Sequence, residues 1–187
     1  MVRVLAMNSL SMLRALARNN AWSNHRLLAA CARLSNDDLH AARTSFFPTI
    51  MRTLNHILIV DWYYVDALAR EGRGLRVLEA EEPFAHLSPL REAQRAVDRR
   101  LITFIEGLRS EQELESELKL ERQDHVQVER GGDVLLHLFQ HQIHHRGQVH
   151  AMLAGTSVRP PQLDEFFLRE ELPLRQGELE ELGMPLE

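Results

Sequence analysis

The sequence predicts an all-α protein, a four-helix bundle with a short β-hairpin ahead of its last helix. Three observations lead there. Four stretches carry apolar residues at helical spacing, a fifth alternates apolar with polar residues, and five of the ten histidines crowd into His137–His150 on the last helical stretch. At 187 residues the chain can bury one sizeable core. The expected domain is a bundle over residues 8–168, followed by an acidic, loosely held C-terminal tail over 169–187.

Composition narrows the function classes. A hydrophobic fraction of 44% beside 26% charged residues belongs to a soluble protein, and no window approaches the ~18 apolar residues of a membrane span. The opening Met1–Met7 run is too short for a signal peptide. The one cysteine, Cys31, excludes an internal disulfide and falls in an apolar stripe, so a buried thiol and a cytoplasmic location are expected. A net charge of −5 with dispersed arginines argues against a nucleic-acid partner, which needs a concentrated basic surface.

The first helix is expected from about Asn8 to Arg33, where Leu13, Leu16, Ala17, Ala21, Leu27, Leu28 and Cys31 recur at helical spacing. Asn20 and Asn24 lie close to that stripe and would brace neighbouring helices through hydrogen bonds. Ser35–Asp38 reads as a polar break and Leu39–Thr44 as a connection. Ser45–Pro48 is expected to open the second helix, with Ser45 as cap and the proline in the first turn. Its stripe, Ile50, Leu54, Ile57, Leu58, Val65 and Leu68, stops at Glu71–Gly72. His56 sits on the border of that face and, taken alone, reads as a packing residue.

Gly72 to Glu82 forms a long connection that ends at Ser88–Pro89, a cap followed by proline at the first helical position. Leu90, Ala93, Val97, Leu101, Phe104 and Leu108 carry the third helix. Leu118/Leu120 and Val126/Val128 then alternate with polar residues, as in a hairpin. Gly131–Asp133 is a turn and cap, and the fourth helix is expected from Val134 to Ala154, with Gly155 just past its end. Phe166, Phe167 and Leu168 form an apolar patch able to dock on the bundle. The glutamate-rich stretch after it predicts the tail, with at most one short helical turn.

On the fourth helix His141 and His145 lie about 40° apart and about 6 Å along the axis, sharing a face with Val134, Leu138 and Met152. Two neutral imidazoles on an apolar face need partners, and one metal ion satisfies both. His137 and His144 flank the pair, whereas His150 and Arg146 point away. Leu136, Phe139 and Ile143 make a second apolar strip on roughly the opposite side, which predicts a homodimer through this helix.

Leu54-Asn-His56-Ile-Leu-Ile-Val-Asp61 and His141-Gln-Ile-His-His145-Arg-Gly-Gln148 together resemble the DinB family of damage-inducible metalloproteins. Asn20-Ala-Trp22-Ser-Asn24 and the Phe46-Phe47 lead agree, and the similarity runs from about Ser9 to Phe167. The resemblance implies a four-helix bundle with a long crossover connection, usually dimeric. It also implies a divalent metal (zinc, nickel or iron) on His56, His141 and His145, with water in the open positions. Gln140 departs from the family's common asparagine before the first histidine, and His137 is additional.

Three histidines with open coordination have the composition of a catalytic site, since structural zinc sites fill all four positions with protein ligands. Gln148 could orient a ligand or a histidine, and Asp61 is a weaker candidate for orienting or base work, with a helix-surface role the plainer reading. The resemblance implies two activities. First comes transfer of a low-molecular-weight thiol to a small electrophile, a metal-dependent S-transferase; second comes metal-assisted hydrolysis. A stress-related bundle that binds metal or a small-molecule ligand without turnover is the opposing class.

Overall fold

The computed structural model describes residues 8–185. The Met1–Met7 stretch read above for a signal peptide lies outside the described residues, as do Leu186 and Glu187. Four long helices form the bundle: α1 (Ser9–Cys31), α3 (Ile50–Ala69), α4 (Leu87–Gly107) and α5 (Gly131–Ala154). Each of α1 and α3 packs against both α4 and α5, so the four close into a ring around one core. A short α2 (Asn36–His40), the hairpin β1 (Glu117–Glu121) and β2 (Val126–Arg130), and a terminal α6 (Leu172–Leu182) complete the chain. The bundle, its long crossover between α3 and α4, and the hairpin all follow the sequence reading. Among the described residues no helix is long and apolar enough to cross a membrane.

Local chemistry sets the helix ends, and several differ from expectation. Asn8 caps α1 by accepting from the Ser11 N–H (2.8 Å), while the Ser11 hydroxyl accepts from the Asn8 N–H (2.9 Å). Ser35, read as part of a break, instead caps α2, its hydroxyl accepting from the Asp38 N–H at 3.0 Å with Asp37 and Asp38 in the first turn. The cap of α3 is Thr49 rather than Ser45, because its hydroxyl accepts from the Arg52 N–H at 3.1 Å. Residues 45–48 therefore stay outside the helix, and Phe47 is free to turn toward α5. Helix α4 begins at Leu87, before Ser88, so Pro89 still sits in a first turn whose N–H groups lack helical partners. Helix α5 begins directly at Gly131, where β2 ends, instead of at Val134; Gly132 lets its backbone approach Leu114, which an added Cβ would meet at 3.4 Å.

The crossover is tied down by side chains of α3. Buried Asn55 donates to the Phe84 carbonyl (2.9 Å) and accepts from the Phe84 N–H (3.0 Å). Buried Asp66 accepts from the N–H groups of Arg73 (3.0 Å) and Gly74 (3.1 Å) and pairs with the Arg73 Nε at 2.9 Å. Gly74 has φ of 55°, and a Cβ there would lie 2.2 Å from the Glu121 carboxylate, so only glycine fits without displacement.

In the hairpin Leu118 faces Glu129 and Leu120 faces Gln127 across an antiparallel ladder. Leu118 and Leu120 enter the core, whereas Val126 and Val128 lie exposed on the other face beside Lys119.

The stretch after Arg169, expected to be a loosely held tail with at most one helical turn, forms a 3-10 turn and the 11-residue α6. Glu178 accounts for much of the difference: it accepts from the Trp22 indole N–H (2.7 Å) and from Arg26 (2.8 Å), whose guanidinium lies 4.4 Å from the Trp22 ring centroid. Leu179 is buried. Of the expected apolar patch only Phe166 docks, 5.4 Å from Trp22 centroid to centroid; Phe167 and Leu168 are exposed.

Candidate metal centre

Helices α3 and α5 are in direct contact, and that contact brings His56 beside His141 and His145. One ring nitrogen from each of the three lies within 4.8 Å of the others. The ring centroids are 4.9 Å apart for His56 and His141, 4.5 Å for His56 and His145, and 4.4 Å for His141 and His145. Imidazole–metal bonds of ~2.0–2.1 Å put ligand nitrogens about 3 to 3.5 Å apart, so small ring adjustments bring this trio onto one ion. The sequence anticipated the pair from helical spacing; the backbone path of α3 supplies the third ring.

The electrostatics suit a cation. Burial first, then the neighbouring His145, holds His56 down at about 4, and burial followed by the four surrounding histidines holds His141 at about 3. His145 is likewise lowered, chiefly by burial. All three rings are therefore neutral near pH 7 and offer lone pairs. Nε2 of His56 and Nε2 of His141 face each other at 2.9 Å, while the buried Nδ1 of His141 has no partner. The donor set thus fits a divalent ion on chemistry and on spacing.

Gln148 and Phe47 fix the rings. The Gln148 side-chain carbonyl accepts from His145 Nδ1 at 2.9 Å, which leaves Nε2 of His145 with its lone pair, and the Gln148 amide donates to His144 Nε2 at 3.1 Å. Phe47 packs 4.4 Å from His56 and 5.7 Å from His145, centroid to centroid, and closes one side of the trio. His137 stands 6.3 Å from His141 and His144 stands 4.8 Å from His145 by centroid, so both flank the trio. His150 points away and bonds the Pro161 carbonyl at 3.0 Å.

Asp61 departs from the helix-surface reading: it is buried between the helices, where it accepts from Gln94 (2.7 Å) and from Gln142. Gln94 also donates to Asp98 (3.1 Å), as do Asn24 (3.0 Å) and Asn20 (3.3 Å). Arg146, rightly placed away from the histidine face, is buried too and donates to Asn20, Asn24 (3.0 Å) and Gln142 (3.2 Å). This network joins all four bundle helices. Burial, and for Asp61 the nearby Asp98, raises Asp61 to about 7 and Asp98 to about 6, while burial lowers Arg146 to about 10.

The helical wheel placed the histidines at the centre of the buried face of α5, yet they occupy its edge. The centre is Leu135, Gln142, Arg146 and Val149. Phe139, assigned above to an outward strip, is consequently in the core, and only Leu136 and Ile143 of that strip are exposed. Tyr64 and Arg122, which line a cavity beside His137, had no signal in the sequence pattern.

Comparison with known proteins gives a consistent placement. The chain shares its fold with the crystal structure of a DinB-like protein from Bacillus cereus ATCC 10987, at a TM-score of 0.59 and 15% identity over 75% of this chain and 90% of that one. Comparison with curated proteins gives no match. A family profile described as DinB family matches residues 7–177, nearly the whole chain, and the protein therefore belongs to the DinB family.

Proposed function

We propose that His56, His141 and His145 hold a divalent metal ion, zinc, nickel or iron, and that the protein is a thiol S-transferase acting on a small electrophile. One observation carries the metal reading: three neutral imidazole nitrogens converge within 4.8 Å at the buried edge of two packed helices. When bound, such an ion acts as a Lewis acid that lowers the pKa of a thiol or water near it. The chain's own groups then have defined tasks. Gln148 keeps the proton of His145 on Nδ1, Phe47 shields the ring edges from water, and the polar network behind α5 fixes the helix that carries two of the three rings.

The choice of S-transfer over hydrolysis rests on what surrounds the rings. Among the described residues, the side chains in ring or hydrogen-bond contact with them are Phe47, His137, His144 and Gln148, none of them a carboxylate. Metal-assisted hydrolysis usually draws on a carboxylate base beside the attacking water, and Asp61 is committed to Gln94 and Gln142. A thiol activated by a metal needs no such base. The test is turnover: metal-loaded protein given a thiol and a test electrophile forms thioether faster than its His141→Ala variant. Equal rates would favour a metal- or ligand-binding protein without turnover, and release of a hydrolysed product without thiol would favour the hydrolase.

The same reading includes a cytoplasmic, stress-related role and a homodimer through the exposed Leu136 and Ile143 of α5, 55% and 51% accessible. Light scattering on the eluting peak decides the dimer; a monomer at micromolar concentration removes it.

A further inference from the structure

The trio of histidines has a neighbour that neither the metal nor Phe47 explains. Between α3, the hairpin and the first turns of α5 lies a cavity of about 260 Å³ lined by Tyr64, Arg122, Gln127, Glu129, Asp133 and His137 among others. His137 connects it to the metal centre. Its ring is 6.3 Å from His141 on one side and 5.1 Å from Tyr64 on the other, centroid to centroid.

Arg122 stands at the far end and is held there in a fixed pose. Its Nε donates to the Gln127 side-chain carbonyl at 2.9 Å, one terminal nitrogen donates to the Tyr64 hydroxyl at 3.4 Å, and its guanidinium lies 5.5 Å from the Tyr63 ring centroid. Among the described residues no carboxylate lies within ion-pair distance of it, and its other terminal nitrogen has no hydrogen-bond acceptor. Of the two acids that share the cavity, Asp133 pairs with Arg130 at 2.8 Å, whereas Glu129 accepts from the neutral Gln127 amide at 2.6 Å and keeps its charge. Arg122 hydrogen-bonds neutral partners and feels Glu129 only from beyond ion-pair contact, so with donors left over it can receive a carboxylate, the planar anion its fork matches best.

We infer that this cavity is the second half of the binding site. Arg122 takes the carboxylate of a small molecule, the chain of that molecule runs past His137, and its donor atom reaches the metal. The inference rests on the metal-centre reading above and adds to it the chemical class of the ligand, a carboxylate-bearing molecule long enough to span from the trio to the hairpin. His137 and Tyr64 become the walls of the path, which gives a task to the one histidine that departs from the DinB pattern.

The test uses the whole protein loaded with cobalt(II), whose thiolate charge-transfer absorption reports a sulfur ligand directly. Mercaptohexanoate and mercaptohexanol have the same length and thiol and differ only in the terminal carboxylate. The wild-type protein binds mercaptohexanoate about tenfold more tightly, the scale of one charge-assisted hydrogen bond at a partly exposed site. Arg122→Gln abolishes the preference and leaves mercaptohexanol affinity and cobalt stoichiometry unchanged, which shows that fold and metal centre are intact; Arg122→Lys keeps part of it. Equal affinities in the wild type, a preference that survives Arg122→Gln, or cobalt that neither thiol perturbs overturns the inference while the metal centre stands. Failure to take up cobalt at all overturns both.

Discussion

Acid should separate the histidine trio from the rest of the fold in the metal-free protein. His56 and His141 are held at about 4 and about 3 against an ordinary 6.5, so the folded state keeps them neutral where the unfolded chain protonates them. Their contribution is fully present above the unfolded value and is lost as pH falls from about 6.5 toward the folded values. Asp61 and Asp98 act with the opposite sign. Raised to about 7 and about 6 from 3.8, they favour folding below the unfolded value and lose that contribution as pH rises through 6 to 7. The wild-type curve therefore mixes two opposed slopes, and a difference measurement is needed. An imidazole that stays neutral in the folded state loses about 2 kcal/mol relative to the unfolded chain between about pH 7 and about pH 5. Solvent reaches part of the His141 ring, which reduces this to about 1 kcal/mol. His141→Leu removes that loss and leaves the aspartates untouched. With a urea slope of about 2 kcal/mol/M, the midpoint of the variant relative to wild type rises by about 0.5 M between the two pH values, with chelator present throughout. Two curves that move in parallel would refute the claim that burial holds His141 neutral.

Three further outcomes follow from the geometry. Gln148→Ala frees the His145 ring and weakens metal affinity about 10- to 100-fold in chelator competition, whereas His144→Ala, which bonds only the other end of Gln148, changes it much less. Arg146→Met leaves Asp61 and Asp98 without their one buried cation and costs about 3–5 kcal/mol in urea unfolding, part of which Asp98→Asn restores in the double variant. Gly74→Ala forces a left-handed residue and displaces the Glu121 carboxylate, lowering stability by about 1 kcal/mol or more without changing metal uptake.

The bundle was legible because each long helix carries an apolar stripe at its own period, and the His141/His145 pair was legible for the same reason. His56 could be joined to them only through its resemblance to a family pattern, since nothing local tells a border histidine that packs from one that faces a second helix. The cap at Thr49 was masked by the stronger-looking Ser45–Pro48 signal, and that choice decides where Phe47 points. Asp61 was read as a helix-surface residue because a polar residue on a helix normally marks its wet side. Here seven polar side chains from four helices satisfy one another inside the bundle, and such mutual satisfaction exists only in three dimensions. Helix α6 was hidden by its glutamates, of which Glu178 proves to be the anchor on Trp22 and Arg26.

Everything proposed for function depends on the trio binding metal. The direct measurement is metal content by mass spectrometry after the purified protein is stripped, reconstituted with zinc, nickel or iron(II), and freed of excess ion. The account predicts one ion per chain in the wild type and loss of that ion in His56→Ala, a variant that remains folded by circular dichroism. A wild-type protein without stoichiometric metal, or a His56→Ala variant that retains it, would contradict the account.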